Sequence, residues 1–331
     1  MMVGKRLSAA AAGWIFLVSY TAGVIFSASF SSRNVDGEYS LGLFLIQVLI
    51  GNVLFFLLPG VIWTRSRGVS LKQTLRLHTV PWSVVGLGLL LYAVSQVPML
   101  FLHQLTEAAL TLFGDAYKPS DYPIADNVGT LLLLLLCIGI IPPLCEELLF
   151  RGVLLSGFEQ RGALFGIVMS SAMFALFHDN PYRLIELFAS ALVSALIVQR
   201  SGSILPGLAI HMATNLTYVL GSYARGGDLV QGVSSGGSVN VPMLLLVGVA
   251  SLPAIYVCWL ILKRMEGMMA RSREQSGSGT ARTDEARGRI EWLNGSREDA
   301  AAGKSRLAAR WGWLVPITLA VIVFIVKAVV G

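Results

Sequence analysis

The sequence predicts an all-α fold, a polytopic membrane helix bundle of about eight core transmembrane helices plus one extra C-terminal hydrophobic helix. Hydrophobic residues make up 55% of the 331-residue chain and charged residues only 13%, about half the roughly 25% usual in soluble domains. The mean hydropathy is +0.69. Apolar runs of about 20 residues, the length that crosses a bilayer core, recur along the chain, and most charged residues lie between them.

Lys5 and Arg6 precede the first run, about Ala9 to Phe30, whose length favours a retained span over a cleaved leader. A polar connection from Ser31 to Ser40 holds Asp36 and Glu38, and a second span follows from Leu41 to about Trp63. Arg65, Arg67, Lys72 and Arg76 then crowd one short connection. The positive-inside rule places that loop in the cytoplasm, and the N-terminus with it. The third span covers about Pro81 to Leu102, and Leu105 to Phe113 is amphipathic enough to lie along the membrane surface. The loop around it, with Glu107, Asp115, Asp121 and Asp126, suits the outer side.

The fourth segment starts near Val128, passes Arg151 and continues to about Phe158, which is long for one straight span. Pro142 and Pro143 remove helix hydrogen bonds within it, so it must kink or restart there. Further spans cover about Ala163 to Phe177, Tyr182 to Val198, Ile204 to Leu220 and Val241 to Leu262. Arg200 and the Lys263-Arg264 pair mark inner ends, Asp179 and Asp228 outer ones. From Lys263 to Arg310 the composition turns to Arg, Glu, Ser and Gly without apolar periodicity, which reads as a largely disordered cytoplasmic tail. Trp311 to Val330 returns to the membrane. The chain thus divides into a helical core at 1–262, a polar tail at 263–310 and a C-terminal membrane helix at 311–331.

The net charge of +6 belongs mostly to loops and tail, so it speaks for orientation and leaflet contact in a multi-pass protein of the plasma membrane. No basic stripe with interleaved aromatics supports nucleic-acid binding. Cys137, Cys145 and Cys258 lie in apolar segments without a C-x-x-C pair, which points to neither a disulfide framework nor a thiolate metal site. Cys145 lacks a neighbouring imidazole in the sequence and reads as a packing residue.

Against that background the stretch from Pro142 to Gly152 is anomalous, because it sets Glu146, Glu147 and Arg151 beside an unbroken apolar run. Each ionisable group near the bilayer centre costs about 2.5–3.5 kcal/mol on insertion scales. On a helix, Glu147 and Arg151 share one face in the favourable acid-before-base order, while Glu146 is rotated about 100° away. Glu147 therefore braces Arg151 and Glu146 is the candidate reactive group. Two of the four histidines complete the pattern. Phe174 and His178 stand four apart, as do His211 and Asn215, so each pair presents its side chains to one side. His178 follows Glu146 by 32 residues with Gly162 midway, and His211 follows His178 by 33. A hairpin turning at Arg161-Gly162 brings Glu146 and His178 to equal depth, roughly 20–24 Å from the turn. His78 and His103 read as solvated.

A carboxylate and an imidazole converging on one water form a general-base arrangement for hydrolysis. His211 and Asn215 are then placed to donate to an oxyanion. The alternative is a zinc site of Glu146, His178 and His211, although the spacing matches no H-E-x-x-H helix. Taken singly, each residue also has a plain structural role, a histidine or asparagine bonding a neighbouring helix.

The three patterns, E-E-x-x-x-R at Glu146, Glu147 and Arg151, F-x-x-x-H at Phe174 and His178, and H-x-x-x-N at His211 and Asn215, resemble in that order the CPBP family of intramembrane proteases. That family includes the type II CAAX prenyl endopeptidases and bacteriocin-processing or immunity proteins. The lead-in from Arg200 to Gly207 is similar as well. The resemblance implies a glutamate-type peptidase with no catalytic metal or cofactor. Glu146 and His178 would activate water, His211 and Asn215 would form the oxyanion site, and Glu147, Arg151 and Phe174 would support them. Its partners would be membrane lipid and a peptide or lipidated, CAAX-like protein substrate. The long polar tail and the hydrophobic C-terminus depart from the family pattern. Two readings from other classes stand beside the protease: a non-catalytic membrane scaffold or immunity-type protein that keeps the cluster for packing, and a proton-coupled transporter. The second wants a matching repeat in the other half of the chain, and none is visible.

Overall fold

The computed structural model describes residues 6–32, 40–112, 123–226, 240–275 and 312–330. They form a bundle of helices: α1 (Ala9–Ser29), α2 (Leu41–Ser66), α3 (Trp82–Leu112), α4 (Val128–Arg161), α5 (Ala163–Phe177), α6 (Leu184–Ser201), α7 (Leu205–Ala224), α8 (Val241–Gln275) and α9 (Leu314–Val330). Six of these, α1 to α4, the α6 region from Pro181 to Ser201 and α8 from Val241 to Ser272, are long and apolar enough to cross a membrane; α5 and α9 are shorter apolar helices. The helical membrane bundle is as the sequence implies, while six long spans among the described residues leave the count of eight core spans unconfirmed.

Boundaries move where packing extends a helix beyond its apolar stretch. Leu105 to Leu112, expected to lie on the surface, continues α3 instead. The eighth helix runs past Leu262 to Gln275, held at its polar end by Arg200 and Lys263 on Glu266, 3.1 and 3.3 Å away. The rest of the expected tail, Asp36, Glu38, Asp115, Asp121 and Asp228 lie outside the described residues.

Two of the helix deformations sit just before prolines. In α2 the π-helical turn Ile50–Leu57 precedes Pro59, and in α4 the π-helical turn Leu135–Ile140 precedes Pro142. In each, the wider turn takes up register just before residues that cannot donate. A further π-helical turn, Leu148–Leu154, carries Arg151. Gly162 ends α4 at φ +123°, a conformation that only glycine adopts without strain, and the chain reverses directly into α5.

The helices pair as α3 with α8, α5 with α6, and α1 with α9, while α7 packs against α3 and the first half of α4. One core gathers Phe16, Tyr20, Phe150, Phe158, Met173 and Phe174; a second gathers Val84, Leu91, Ile197, Ile210 and Met265. Leu245, Leu246, Val249 and Leu252 of α8 point outward, as a lipid-facing wall requires.

The basic connections collect at one end. Arg76 pairs with Glu159 beside the α4–α5 turn. Its carbonyl accepts from the Ile204 amide, and Ser203 Oγ donates to the His78 carbonyl at 2.5 Å. His78 is exposed there, as expected.

Candidate active site

The site is built on a defect in α4. The carbonyl of Ile138 would accept from residue 142 in an α-helix and from residue 143 in a π-helix, and both are prolines. Asn215 on α7 supplies the missing donor, its Nδ2 reaching the Ile138 carbonyl at 2.9 Å. The helix restarts as the α-helical segment Ile141–Glu147, with the prolines in its first turn, where amide hydrogens have no intrahelical partner anyway.

Glu146 and Glu147, at the end of that segment, face different surroundings. Glu147 is fully buried. Its Oε1 lies 2.8 Å from Arg151 Nη1 and 3.0 Å from His211 Nδ1, and its Oε2 accepts from Ser194 Oγ at 3.2 Å. Arg151 is held from other sides by the Ala191 carbonyl at 3.5 Å and by the Phe174 ring, 4.4 Å from the guanidinium carbon to the ring centroid. The brace between Glu147 and Arg151 was expected. The contacts to His211, Ser194 and Ala191 were not, because Ser194 and Ala191 sit in ordinary apolar helix sequence. Gly207 completes the fit: a Cβ there would lie 2.5 Å from Val198 Cγ2 and 3.0 Å from both Glu147 Oε2 and Ser194 Oγ.

Glu146 turns the other way. Its Oε2 is buried and accepts no hydrogen bond among the described residues. His178 Nε2 and His211 Nε2 stand 3.9 and 3.8 Å from that atom, beyond direct hydrogen bonding. The other nitrogen of each ring fixes its tautomer. His178 Nδ1 is 2.9 Å from the Phe174 carbonyl and His211 Nδ1 faces the Glu147 carboxylate. Both partners are acceptors, so each Nδ1 carries hydrogen and each ring turns its Nε2 toward Glu146. A water in that gap has two hydrogens to donate, enough for Glu146 Oε2 and one imidazole Nε2.

The same three residues are spaced more widely than zinc ligands. With bonds of about 2.0–2.1 Å, tetrahedral ligand atoms stand roughly 3.3 Å apart, closer than these pairs. Among the described residues no group of three or more His, Cys, Asp or Glu is arranged to hold a metal ion.

The gap opens into a cavity of about 760 Å³ lined by Glu146, Glu147, Arg151, Phe174, His178, His211 and Asn215, so every residue singled out from the sequence reaches it. Phe26, Phe44, Met99 and Leu187 supply apolar wall. His103, expected to be solvated, is instead a lining residue whose Nδ1 lies 2.7 Å from Glu186. Cavity residues from the end of α1 (Phe26, Ser27), from Ser32 and from the start of α2 (Phe44, Gln47) lead away from the basic connections.

Residues 128–217 match the family model described as Type II CAAX prenyl endopeptidase Rce1-like. An Escherichia coli protein described as "Uncharacterized 24.3 kDa protein" is 35% identical over 102 residues, 29% of this chain and 47% of that protein. The chain thus spans about half the length of the curated relative. No solved structure matches. The family match falls on α4 to α7, the segment that carries all the motifs and the Ser194 and Gly207 contacts.

Proposed function

We propose that this protein is an intramembrane endopeptidase in which Glu146, assisted by His178, activates water against a peptide bond. The observation that carries the reading is Glu146 Oε2, buried and without a hydrogen bond among the described residues, facing two imidazole Nε2 atoms at the head of a large cavity. A scaffold role accounts for Glu147 and Arg151, whose needs are met within the bundle. It leaves Glu146 unexplained, since a buried acceptor without a partner is costly unless something occupies the gap.

In the proposed reaction Glu146 takes one proton from the bridging water while the water oxygen bonds to the scissile carbonyl carbon. The carbonyl π electrons move to oxygen. When the tetrahedral intermediate collapses, the carbon–nitrogen bond breaks and the proton held by Glu146 passes to the leaving amine. His178 orients the water through Nε2. His211 donates from Nε2 to the oxyanion only when it carries both ring protons, and Glu147 on Nδ1 is the counter-charge for that state. Asn215 has a second Nδ2 hydrogen for the oxyanion after one is taken by Ile138.

The substrate class follows from the walls: an aromatic and methionine-lined cavity within apolar helices suits a membrane-associated or lipidated peptide, CAAX-like in the sense of the matched family. By the positive-inside rule the basic connections support a cytoplasmic N-terminus, and the cell membrane is the location that goes with this reading. Purified protein in lipid nanodiscs, given farnesylated CAAX peptides, their unprenylated counterparts and a membrane-anchored peptide library, tests the reading. Cleavage within at least one set, with the new termini located by mass, supports it; no cleavage in any set contradicts it.

A further inference from the structure

The C-terminal helix α9, which departs from the family pattern, spans α5 from end to end. At the end near the α4–α5 turn, Trp313 packs edge-on against Phe165 with ring centroids 5.0 Å apart, and Arg161 lies over the Trp313 ring at 5.3 Å. Ile317, Ala320 and Phe324 then enter the core shared with Phe16, Tyr20 and Met173. At the far end Lys327 Nζ donates to Asp179 Oδ2 at 2.6 Å. Asp179 directly follows His178 and holds φ +49°, the left-handed region that a non-glycine residue enters at a cost.

Both oxygens of Asp179 are taken, and from different helices: Tyr20 of α1 donates to Oδ1 and Lys327 of α9 to Oδ2. A carboxylate gripped this way cannot rotate freely, and its backbone is the peptide that leaves His178. Lys327 is the only charged residue between Trp311 and Gly331. Lys327 lies in the last turn of α9 with its side chain partly exposed, and it spends its ammonium on a carboxylate that adjoins a histidine of the site.

We propose that Lys327 is a positioning residue: with Tyr20 it fixes Asp179 and thereby the ring of His178 opposite Glu146, so that α9 is a working part of the site's frame. The proposal rests on the peptidase reading for its kinetic consequence, not for its structural one.

The test uses the full chain in nanodiscs, as wild type, Lys327→Met, Lys327→Arg and Asp179→Asn, with ¹⁵N-histidine NMR beside cleavage kinetics. The chain has four histidines, and the His178 signal is assigned by its loss in His178→Asn. Lys327→Met should shift the His178 ring nitrogens while leaving His78 in place, and should lower kcat by about 10- to 100-fold with KM little changed, the scale of a misplaced reacting group. Lys327→Arg should restore both. Asp179→Asn tolerates the left-handed backbone and still accepts from Tyr20, so its His178 signal should move even if Lys327→Met fails to fold. Unmoved His178 signals in the folded variants overturn the proposal, whatever the cleavage assay shows. A wild type that cleaves nothing contradicts the peptidase reading and leaves the NMR comparison to judge Lys327 by itself.

Discussion

Glu147 Oε1 is shared between Arg151 Nη1, 2.8 Å away, and His211 Nδ1, 3.0 Å away. One carboxylate therefore balances a buried guanidinium and also decides which nitrogen of His211 faces Glu146. The second acid of the pair is a structural and an electronic support at once, which explains why both of its oxygens are engaged within the bundle while Glu146 Oε2 accepts no hydrogen bond among the described residues.

Removing that carboxylate should be severe. Glu147→Ala leaves Arg151 buried without its counter-charge, and the expected loss of stability is about 3–5 kcal/mol, the usual result of stripping one partner from a buried pair. Denaturant unfolding in detergent measures it. The double variant Glu147→Ala/Arg151→Met should recover part of the loss, since no charge is then stranded. A loss for the single variant no larger than for a surface substitution contradicts the assignment.

Asn215 has a second task independent of chemistry, supplying the Ile138 carbonyl. Asn215→Leu should cost about 1–3 kcal/mol by leaving that carbonyl unsatisfied. Pro142→Ala restores an amide donor within the helix, so adding it to Asn215→Leu should cost less than the two separate effects combined. Additive effects in this double-mutant cycle would show that the two residues do not share the carbonyl.

Gly207→Ala probes the close approach of α7 to Glu147 and Ser194. The added methyl meets Val198 at 2.5 Å and Glu147 Oε2 at 3.0 Å, so the variant should lose about 1–3 kcal/mol, as overpacked cores do, and should turn over more slowly because Glu147 is displaced from His211. Unchanged melting and activity would mean that the helices separate there without consequence.

Much of this arrangement is legible in the sequence because charge in hydrocarbon is conspicuous. Glu146, Glu147 and Arg151 stand out against the apolar run before them, and the equal spacings about Gly162 give the α4–α5 hairpin that pairs Glu146 with His178. The supports are silent. Ser194, Ala191 and Gly207 are commonplace residues of apolar helices, and only packing reveals that they touch Glu147 or Arg151. His103 reads as a solvated span end because its partner, Glu186, is brought to it by tertiary structure alone. The run of α8 to Gln275 is hidden for a related reason: its last turns are polar, and contacts such as Arg200 to Glu266 sustain them rather than apolar periodicity.

The direction of access gives a further expectation. The basic connections and the α4–α5 turn share one end, whereas Ser32 and Gln47 line the cavity toward the other. Single-cysteine reporters at Ser66 and Ser29, both exposed, should therefore react with a membrane-impermeant thiol reagent from opposite sides of sealed vesicles. With the basic loop cytoplasmic, Ser29→Cys should label from outside. Labelling of both from one side would contradict the placement of the cavity mouth.

The central claim is tested most directly by comparing wild type with Glu146→Gln on a cleaved peptide, in water enriched in ¹⁸O, with product masses recorded and melting followed in parallel. The account predicts that wild type places one ¹⁸O in the new carboxyl terminus. It predicts that Glu146→Gln melts like wild type and cleaves at least about 10²-fold more slowly, the scale of a lost general base. Cleavage at the same bond and the same rate by Glu146→Gln would contradict it.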